Sequence, residues 1–442
     1  MRNLSAYANY SDRARRLAWF LDRTAGPALG LLSRVLASAV ARGRKDRRGG
    51  PSMERPVAAG GVERFSSEER TSSGARRFLL IRCDHLGDLL MATPAMRALR
   101  RRHPDARIDV MASPGAASAL AANTDVDRVL LLDAPWYEPH HGRETEPLEL
   151  LRAAGAILLE GYDAVVEMRG DPRLLVLVAF SGAARRIGYA GVGLESVLTD
   201  AVRFDPYLCH LERNFEILNP LGVAGCSGSE DRMPVLTVDE ATRRRASGLL
   251  RAAGVAPGAG YVVVAPATNR PRQTWGEAKF AEVAEGLRGT GCEVVLTGRE
   301  SDAPVTAAVA AATRGAVIDL TGETDLPTLA AIIEGARLVL ANDSGAIHIA
   351  AAVGCPAVAI FGPTSPALSF PYEGLPGYRS LAGPTSCERP CFRPGCEEGH
   401  GYRAVTLDAV LAACHAAMTS TEAPRNSGRA DSSGPVPASV QP

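Results

Sequence analysis

Asn342 to Pro366 reads NDSGAIHIAAAVGCPAVAIFGPTSP, and the way this stretch divides decides the fold. Arg337–Ala341 (RLVLA) before it is a short apolar run of strand type, and the alanine-rich Ala346–Val353 predicts a helix. Gly354 ends that helix, Pro356–Phe361 is a second strand, and Gly362-Pro363-Thr364 is a tight turn. Strand, polar turn, helix, glycine cap and strand make a βαβ unit whose first turn lies at the carboxyl end of a strand. Small residues there let a ligand approach backbone N–H groups, and a helix N-terminus favours an anion. The stretch therefore predicts a phosphate-bearing ligand at Asp343-Ser344-Gly345. The competing reading is that Asp343 and Ser344 only cap the helix.

Working outward, 442 residues leave room for two domains of ordinary size once both ends are set aside. Basic and acidic residues balance at 49 each and aromatics are scarce, which argues against a nucleic-acid binder. The nine cysteines are mostly scattered singly, as in a reducing compartment. No apolar run reaches the roughly 18 residues of a membrane-spanning helix.

Residues 1–75 differ from the rest. Through Arg48 there are eleven Lys/Arg against three Asp, with Leu17, Trp19, Phe20, Leu21, Leu29, Leu31, Leu32, Val35 and Leu36 interspersed. A basic amphipathic helix broken at Gly26-Pro27 and lying on an anionic membrane surface is one reading; a disordered or mis-started leader is the other. The segment lacks the apolar core and cleavage site of a secretory signal. Gly49–Gly74 reads as linker.

Phe78–Arg82 (FLLIR) is a buried strand of parallel type, and Thr93-Pro94 is expected to start or kink the helix that follows. Asp88 then sits beside Gly87 at the mouth of a strand-to-helix turn, where such sheets hold ligands, unless it is only a cap. Tyr162–Met168 is another strand with Arg169-Gly170-Asp171 at its carboxyl end, and the Arg169 guanidinium suits an acceptor phosphate or carboxylate. A structural ion pair is the alternative. His140-His141, in the loop Trp136–Pro147, has no third ligand at useful spacing and reads as exposed loop. Ala224–Val235 is the expected domain boundary. Cys387, Cys391, Cys396 and His400 could hold zinc, but without a Cys-x2-Cys knuckle packed cysteines are the preferred reading.

The run from Asp343 to Pro366 resembles the C-terminal signature of glycosyltransferase family 9, the ADP-heptose:lipopolysaccharide heptosyltransferases. That family shows an Asp, a Ser or Thr, a Gly, a His three residues on and a closing Gly-Pro-Thr. RCDHLGDLLMATPAMRALRRRHP resembles its opening motif, whose Gly-Asp aspartate is the general base on the acceptor hydroxyl and falls on Asp88, with Arg82 and Asp84 at shared positions. Segments around Arg169, Arg185–Tyr189, Trp275 and Thr321 follow in the family's order, so the resemblance spans about Arg77 to Met418. Where the family has a donor-phosphate lysine two residues before Trp275, this chain has Gln273, and Arg272 is expected to supply the charge.

The resemblance implies an α/β fold of GT-B type, two doubly wound Rossmann-like domains facing each other across a cleft. Residues 76–235 would form the acceptor side and 236–418 the nucleotide-sugar side, with 419–442 a disordered tail. It implies an inverting glycosyltransferase with a nucleotide-sugar donor such as ADP-heptose, a lipid-linked or cell-envelope saccharide acceptor and no required cofactor or metal. Asp88 is the expected catalytic residue, Arg82 and Arg169 the acceptor ligands, and Arg272, Trp275, Thr321, Asp343, Ser344, Gly345, His348 and Gly362 the donor ligands. The expected place is the cytoplasm, with peripheral contact of residues 1–48 to the inner face of the membrane. Two alternatives stand beside this: a GT-B enzyme with another donor, for which Gln273 argues, and a catalytically idle nucleotide- or glycan-binding protein, against which Asp88, Asp343 and His348 together argue.

Overall fold

Two six-stranded sheets follow one another along the chain, and every strand pair in both is parallel. The computed structural model describes residues 75–137, 147–268, 274–386, 389–391 and 399–420, together with Gly30, Leu31, Ser33 and Val35. The remainder of the N-terminal extension, its linker, His140-His141 and the tail beyond 420 lie outside the described residues.

The first sheet uses β1 (Arg77–Arg82), β2 (Arg107–Ala112), β3 (Arg128–Leu131), β4 (Ala164–Glu167), β5 (Arg185–Ala190) and β6 (Asp200–Arg203) in the order β3-β2-β1-β4-β5-β6. Helices α1 (Leu86–Arg102), α2 (Pro147–Glu160), α3 (Pro172–Phe180) and α4 (His210–Glu216) connect and cover it. The second half enters through α5 (Glu240–Ala252) and builds β7 (Tyr261–Ala265), β8 (Glu293–Leu296), β9 (Ile318–Asp319), β10 (Leu338–Asn342), β11 (Ala357–Phe361) and β12 (Tyr378–Ala382). Their order is β12-β11-β10-β7-β8-β9, the same winding as the first sheet. Between them run α6 (Glu277–Arg288), α7 (Ala303–Ala312), α8 (Leu326–Gly335) and α9 (Gly345–Val353), and α10 (Leu407–Thr419) closes the chain. The doubly wound α/β architecture expected from the sequence is therefore observed.

Continuous apolar runs make this possible. Leu79-Leu80-Ile81 and Val262-Val263-Val264 are wholly buried, because helices cover both faces of each sheet. Each sheet has one apolar core per face, and one core of the second sheet also takes in Leu90 and Ala119 from the first half. The two halves thus share buried surface.

The winding reverses between β1 and β4 in the first sheet and between β7 and β10 in the second. Ligands of doubly wound sheets bind outside the carboxyl ends of the strands at such a reversal. The loops after β4, β7 and β10 carry Arg169, Trp275 and Asp343, and the first turn of α1, just past β1, carries Asp88. Topology alone brings the motif residues to the two crevices.

Pro94 neither starts α1 nor ends it. The helix begins at Leu86 and passes through Pro94. Proline cannot donate to the Leu90 carbonyl four residues back, and the Thr93 hydroxyl donates to that carbonyl instead at 2.7 Å. The same hydroxyl accepts the Val235 amide at 2.8 Å, so it also ties the inter-domain segment to α1. Thr93→Val leaves one buried carbonyl and one amide without a partner. It should lower the unfolding free energy by about 2 kcal/mol, read as a drop in the urea midpoint.

Candidate active site

Asp88 lies in the first turn of α1, where the helix dipole favours a carboxylate. Its oxygens face four cationic or imidazole groups: Arg82 Nη2 at 3.4 Å, Arg169 Nη1 at 3.7 Å, His85 Nδ1 at 3.6 Å and His210 Nδ1 at 3.3 Å. Burial would raise the Asp88 pKa, but the hydrogen bonds of His210 and His85 and the charge of Arg82 outweigh it and hold the carboxyl well below the ordinary aspartate range. His85 Nε2 meets the Tyr137 carbonyl at 3.1 Å and so carries a proton. Burial works against its second proton, yet the hydrogen bond to Asp88 prevails and raises its pKa. His210 goes the other way, because burial and Arg213 outweigh Asp88.

Arg82 and Arg169 were expected to bind the acceptor; the structure shows what else they hold. Arg82 is buried, donates to the Met168 carbonyl at 2.7 Å and pairs with Asp84 at 3.0 Å. It is a strut beneath Asp88. Arg169 pairs with the other Asp84 oxygen and lies 4.5 Å over the Tyr137 ring. Glu167 sets the loop that carries it, accepting the amides of Arg169 at 3.1 Å, Gly170 at 2.6 Å and Asp171 at 3.1 Å. Asp171 caps α3 and accepts the Trp136 indole N–H at 3.0 Å and the Tyr137 hydroxyl at 2.5 Å. Arg173 closes this wall, paired to Asp171 and stacked 4.4 Å over Trp136.

On the other side of the cleft, Ser344 is the N-cap of α9 but its hydroxyl makes no capping bond, so the first-turn amides are not occupied by it. Asp343, Ser344, Gly345 and Ala346 are half-buried at this end. The loop after β7 is fixed by Asn342, fully buried at the end of β10. Its side chain accepts the Trp275 amide at 3.2 Å and donates to the Pro266 carbonyl at 2.6 Å. Trp275, expected at the donor, is buried, with its indole N–H on the Val405 carbonyl at 3.0 Å and its ring against Phe280 and Lys279. It anchors the loop from beneath. Gly362 is likewise structural: a side chain there would collide with Tyr402, and its carbonyl accepts from Arg389 at 2.7 Å. Thr321 follows edge strand β9, three strands from β10 and so about 14 Å across the sheet. Its buried hydroxyl has no hydrogen-bond partner among the described residues.

His348 joins the two sides. A Cβ on Gly87 would lie 2.5 Å from His348 Cδ2, and one on Gly345 would lie 3.4 Å from Leu86 Cδ2. The N-terminal turns of α1 and α9 therefore meet directly. His348 Nδ1 contacts the Tyr372 hydroxyl at 2.9 Å. His348, expected among the donor ligands, sits on the seam between the two halves.

Arg272 and Gln273 lie outside the described residues, as do Cys387 and Cys396. Cys391 is buried, and its amide donates to the Pro363 carbonyl at 2.8 Å. Among the described residues no group of three or more His, Cys, Asp or Glu side chains could hold a metal. His210, Tyr137, Tyr372, Asn342 and Glu167 were not singled out from the sequence. Only the position of Asn342 beside Asp343 gave a signal.

A family model described as glycosyltransferase family 9 (heptosyltransferase) matches residues 151–400. Lipopolysaccharide heptosyltransferase 3 of Escherichia coli is 28% identical over 291 residues, covering 63% of this chain and 81% of that protein. Lipopolysaccharide heptosyltransferase 2 of Salmonella typhimurium is 26% identical over 299 residues, covering 66% of this chain and 84% of that protein. Among solved structures, a family 9 glycosyl transferase from Veillonella parvula superposes with a TM-score of 0.66 at 20% identity, covering 78% of this chain and 97% of that one. E. coli ADP-heptose lps heptosyltransferase II superposes at 0.62 with 23% identity, covering 77% and 98%.

The seam has a pH signature. Burial depresses the His348 pKa from the ordinary 6.5 to about 4, so the native residue is neutral where the unfolded chain would bind a proton. As pH falls from 6.5 through about 4, His348 should therefore withdraw up to about 3 kcal/mol of stability. His348→Gln should flatten the fall in melting temperature across that window relative to wild type.

Proposed function

Since the chain belongs to glycosyltransferase family 9, the heptosyltransferases, we propose that it transfers heptose, or a related sugar, from ADP-heptose or a similar nucleotide-sugar to a lipopolysaccharide-core or other cell-envelope saccharide. The chain is a glycosyltransferase; donor, acceptor and stereochemistry are the proposed part. One observation carries the reading: Asp88, on the first half, stands beside the α9 N-terminus of the second half across the Gly87–His348 contact. A base and an anion site within one seam suit a transfer that removes a proton from one substrate and releases a nucleoside diphosphate from the other.

In the proposed reaction the acceptor hydroxyl loses its proton to Asp88 as its oxygen attacks the anomeric carbon. The bond to the pyrophosphate oxygen breaks on the opposite face, so the configuration inverts and ADP leaves. Charge growing on the pyrophosphate is stabilised by the α9 amides and by Arg272, which needs no metal. Asp343, Ser344 and Gly345 hold the donor, Thr321 lies toward the nucleotide, and Arg169 meets an anionic acceptor group. Arg82, Trp275, His348 and Gly362 act one step back, by fixing these groups.

Held strongly ionised by its neighbours, Asp88 alone is a feeble base. The arriving anionic donor offsets the surrounding cations and raises its basicity when the acceptor must be deprotonated. A cytoplasmic location, and contact of residues 1–48 with the inner face of the membrane, fit a lipid-linked acceptor.

Purified protein should be stabilised against heat by ADP more than by UDP, GDP or CMP, equally with and without magnesium. Arg272→Ala should weaken that stabilisation. Asp88→Asn should keep it while lowering kcat by about 100-fold or more. Stabilisation by UDP or GDP instead would move the donor; near-normal turnover in Asp88→Asn would remove the base.

A further inference from the structure

We infer that Arg213 is an oxyanion-binding residue beside the Asp88 site, placed to take a carboxylate or phosphate group carried by the acceptor. Four arginines are buried among the described residues: Arg82, Arg100, Arg186 and Arg213. Three of them are engaged by the protein. Arg82 pairs with Asp84 and donates to the Met168 carbonyl at 2.7 Å. Arg100 pairs with Asp127 and donates to the Pro104 carbonyl at 3.2 Å. Arg186 donates to the carbonyls of Ala183 and Val197, each at 2.7 Å. Arg213, 9% exposed, makes no ion pair and no side-chain hydrogen bond with any described residue. Its Nε is wholly shut off from solvent, whereas its two outer nitrogens still meet it.

A guanidinium keeps its charge when buried, and a buried charge without a counter-ion is costly. The surroundings of Arg213 hold it in place without supplying one. Its backbone carbonyl accepts the Tyr189 hydroxyl at 2.8 Å. Its Cζ lies 5.1 Å from the Phe204 ring, which packs edge-on against Tyr189 at 5.2 Å. Contact with an aromatic ring steadies a guanidinium and leaves its N–H fork unused. Asp88 does not fill that fork, because its own ion pairs are with Arg82, Arg169, His85 and His210. Burial above all, and then the charge of Arg82, pulls the Arg213 pKa below the ordinary arginine value. An oxyanion received there would offset both.

Position selects the ligand. Tyr189 lies near the carboxyl end of β5 and Phe204 just past β6, so Arg213 stands where doubly wound sheets take ligands. His210, three residues earlier on α4, meets Asp88 at 3.3 Å. Residues so spaced share a helix face, with Cβ atoms about 5–6 Å apart. An oxyanion on Arg213 is thus within one helical turn of the group that touches the base. In the proposed reaction the leaving pyrophosphate belongs to α9 of the other half, which leaves Arg213 to the acceptor. The ligand class is an acidic saccharide whose anionic group neighbours the accepting hydroxyl. This inference rests on the proposed function for which substrate brings the anion. The oxyanion site itself needs no transfer, so the two can fail separately.

Inorganic phosphate serves as the probe, on the full chain with ADP at saturation to fill the donor site. Phosphate should raise the melting temperature of wild type beyond sodium chloride of equal ionic strength. Arg213→Met should weaken phosphate binding about ten-fold or more, while its ADP shift stays that of wild type. Arg213→Lys keeps the charge and loses the fork, so it should bind phosphate with intermediate affinity, and it gives the same readout should the methionine variant not fold. The inference is overturned if phosphate stabilises wild type no more than chloride does, or stabilises the variants as much as wild type. It is overturned too if Arg213→Met loses the ADP shift, which would hand the residue to the donor. Absence of any sugar transfer by wild type would sink the proposed function and leave the oxyanion site standing.

Discussion

The contact between Gly87 and His348 is the constraint on which the rest of the site depends. It brings the amino-terminal turns of α1 and α9 together, and each turn projects unpaired amides and partial positive charge. Two such ends repel unless negative charge lies between them and nothing positive is added. Asp88 supplies the negative charge. Burial keeps His348 neutral, so the residue that fills the seam adds no cation to it. A side chain at position 87 would push the helices apart and separate the Asp88 carboxylate from the α9 N-terminus.

The ions around Asp88 follow from the same demand. Arg82 and Arg169 share Asp84 as a common counter-ion, so neither guanidinium is left to collapse onto Asp88. Buried charges paired this way hold geometry more than they add stability, and here the geometry is a carboxylate kept ionised and aimed across the cleft. Tyr137 and Asp171 brace the outer edge, and Glu167 fixes the loop beneath through three backbone amides. These bonds fix the geometry around Asp88 without any other partner.

The division between what the sequence disclosed and what it hid follows sequence separation. The βαβ unit from Arg337 to Phe361 was legible because its apolar runs, glycine cap and polar turn are local signals. The positions of Asp88 and Asp343 were legible because both follow strand ends beside small residues. His210 was hidden because nothing near it in sequence marks it. It meets Asp88 only after α4 folds back against α1. The contacts of Trp275 were hidden for a related reason: its motif position indicates the donor loop, and its indole N–H is held by the Val405 carbonyl, far along the chain. Pro94 does not start α1, because the neighbouring Thr93 hydroxyl takes up the carbonyl that proline leaves without a donor.

The two halves share one winding yet build their crevices from different chemistry. At the end of β1 and after β4 the first half places long charged side chains, Arg82 and Arg169, which need carboxylates to hold them. After β10 the second half places Asp343, Ser344 and Gly345 and presents backbone amides, with Asn342 steadying the adjoining loop. A proton acceptor needs a tuned side chain, because only a side chain titrates. An anion site needs bare amides, because any bulk would hold the phosphate off the helix terminus. The asymmetry of the proposed transfer, one partner deprotonated and the other cleaved to an anion, would thus draw on an asymmetry between two folds that are otherwise copies of one plan.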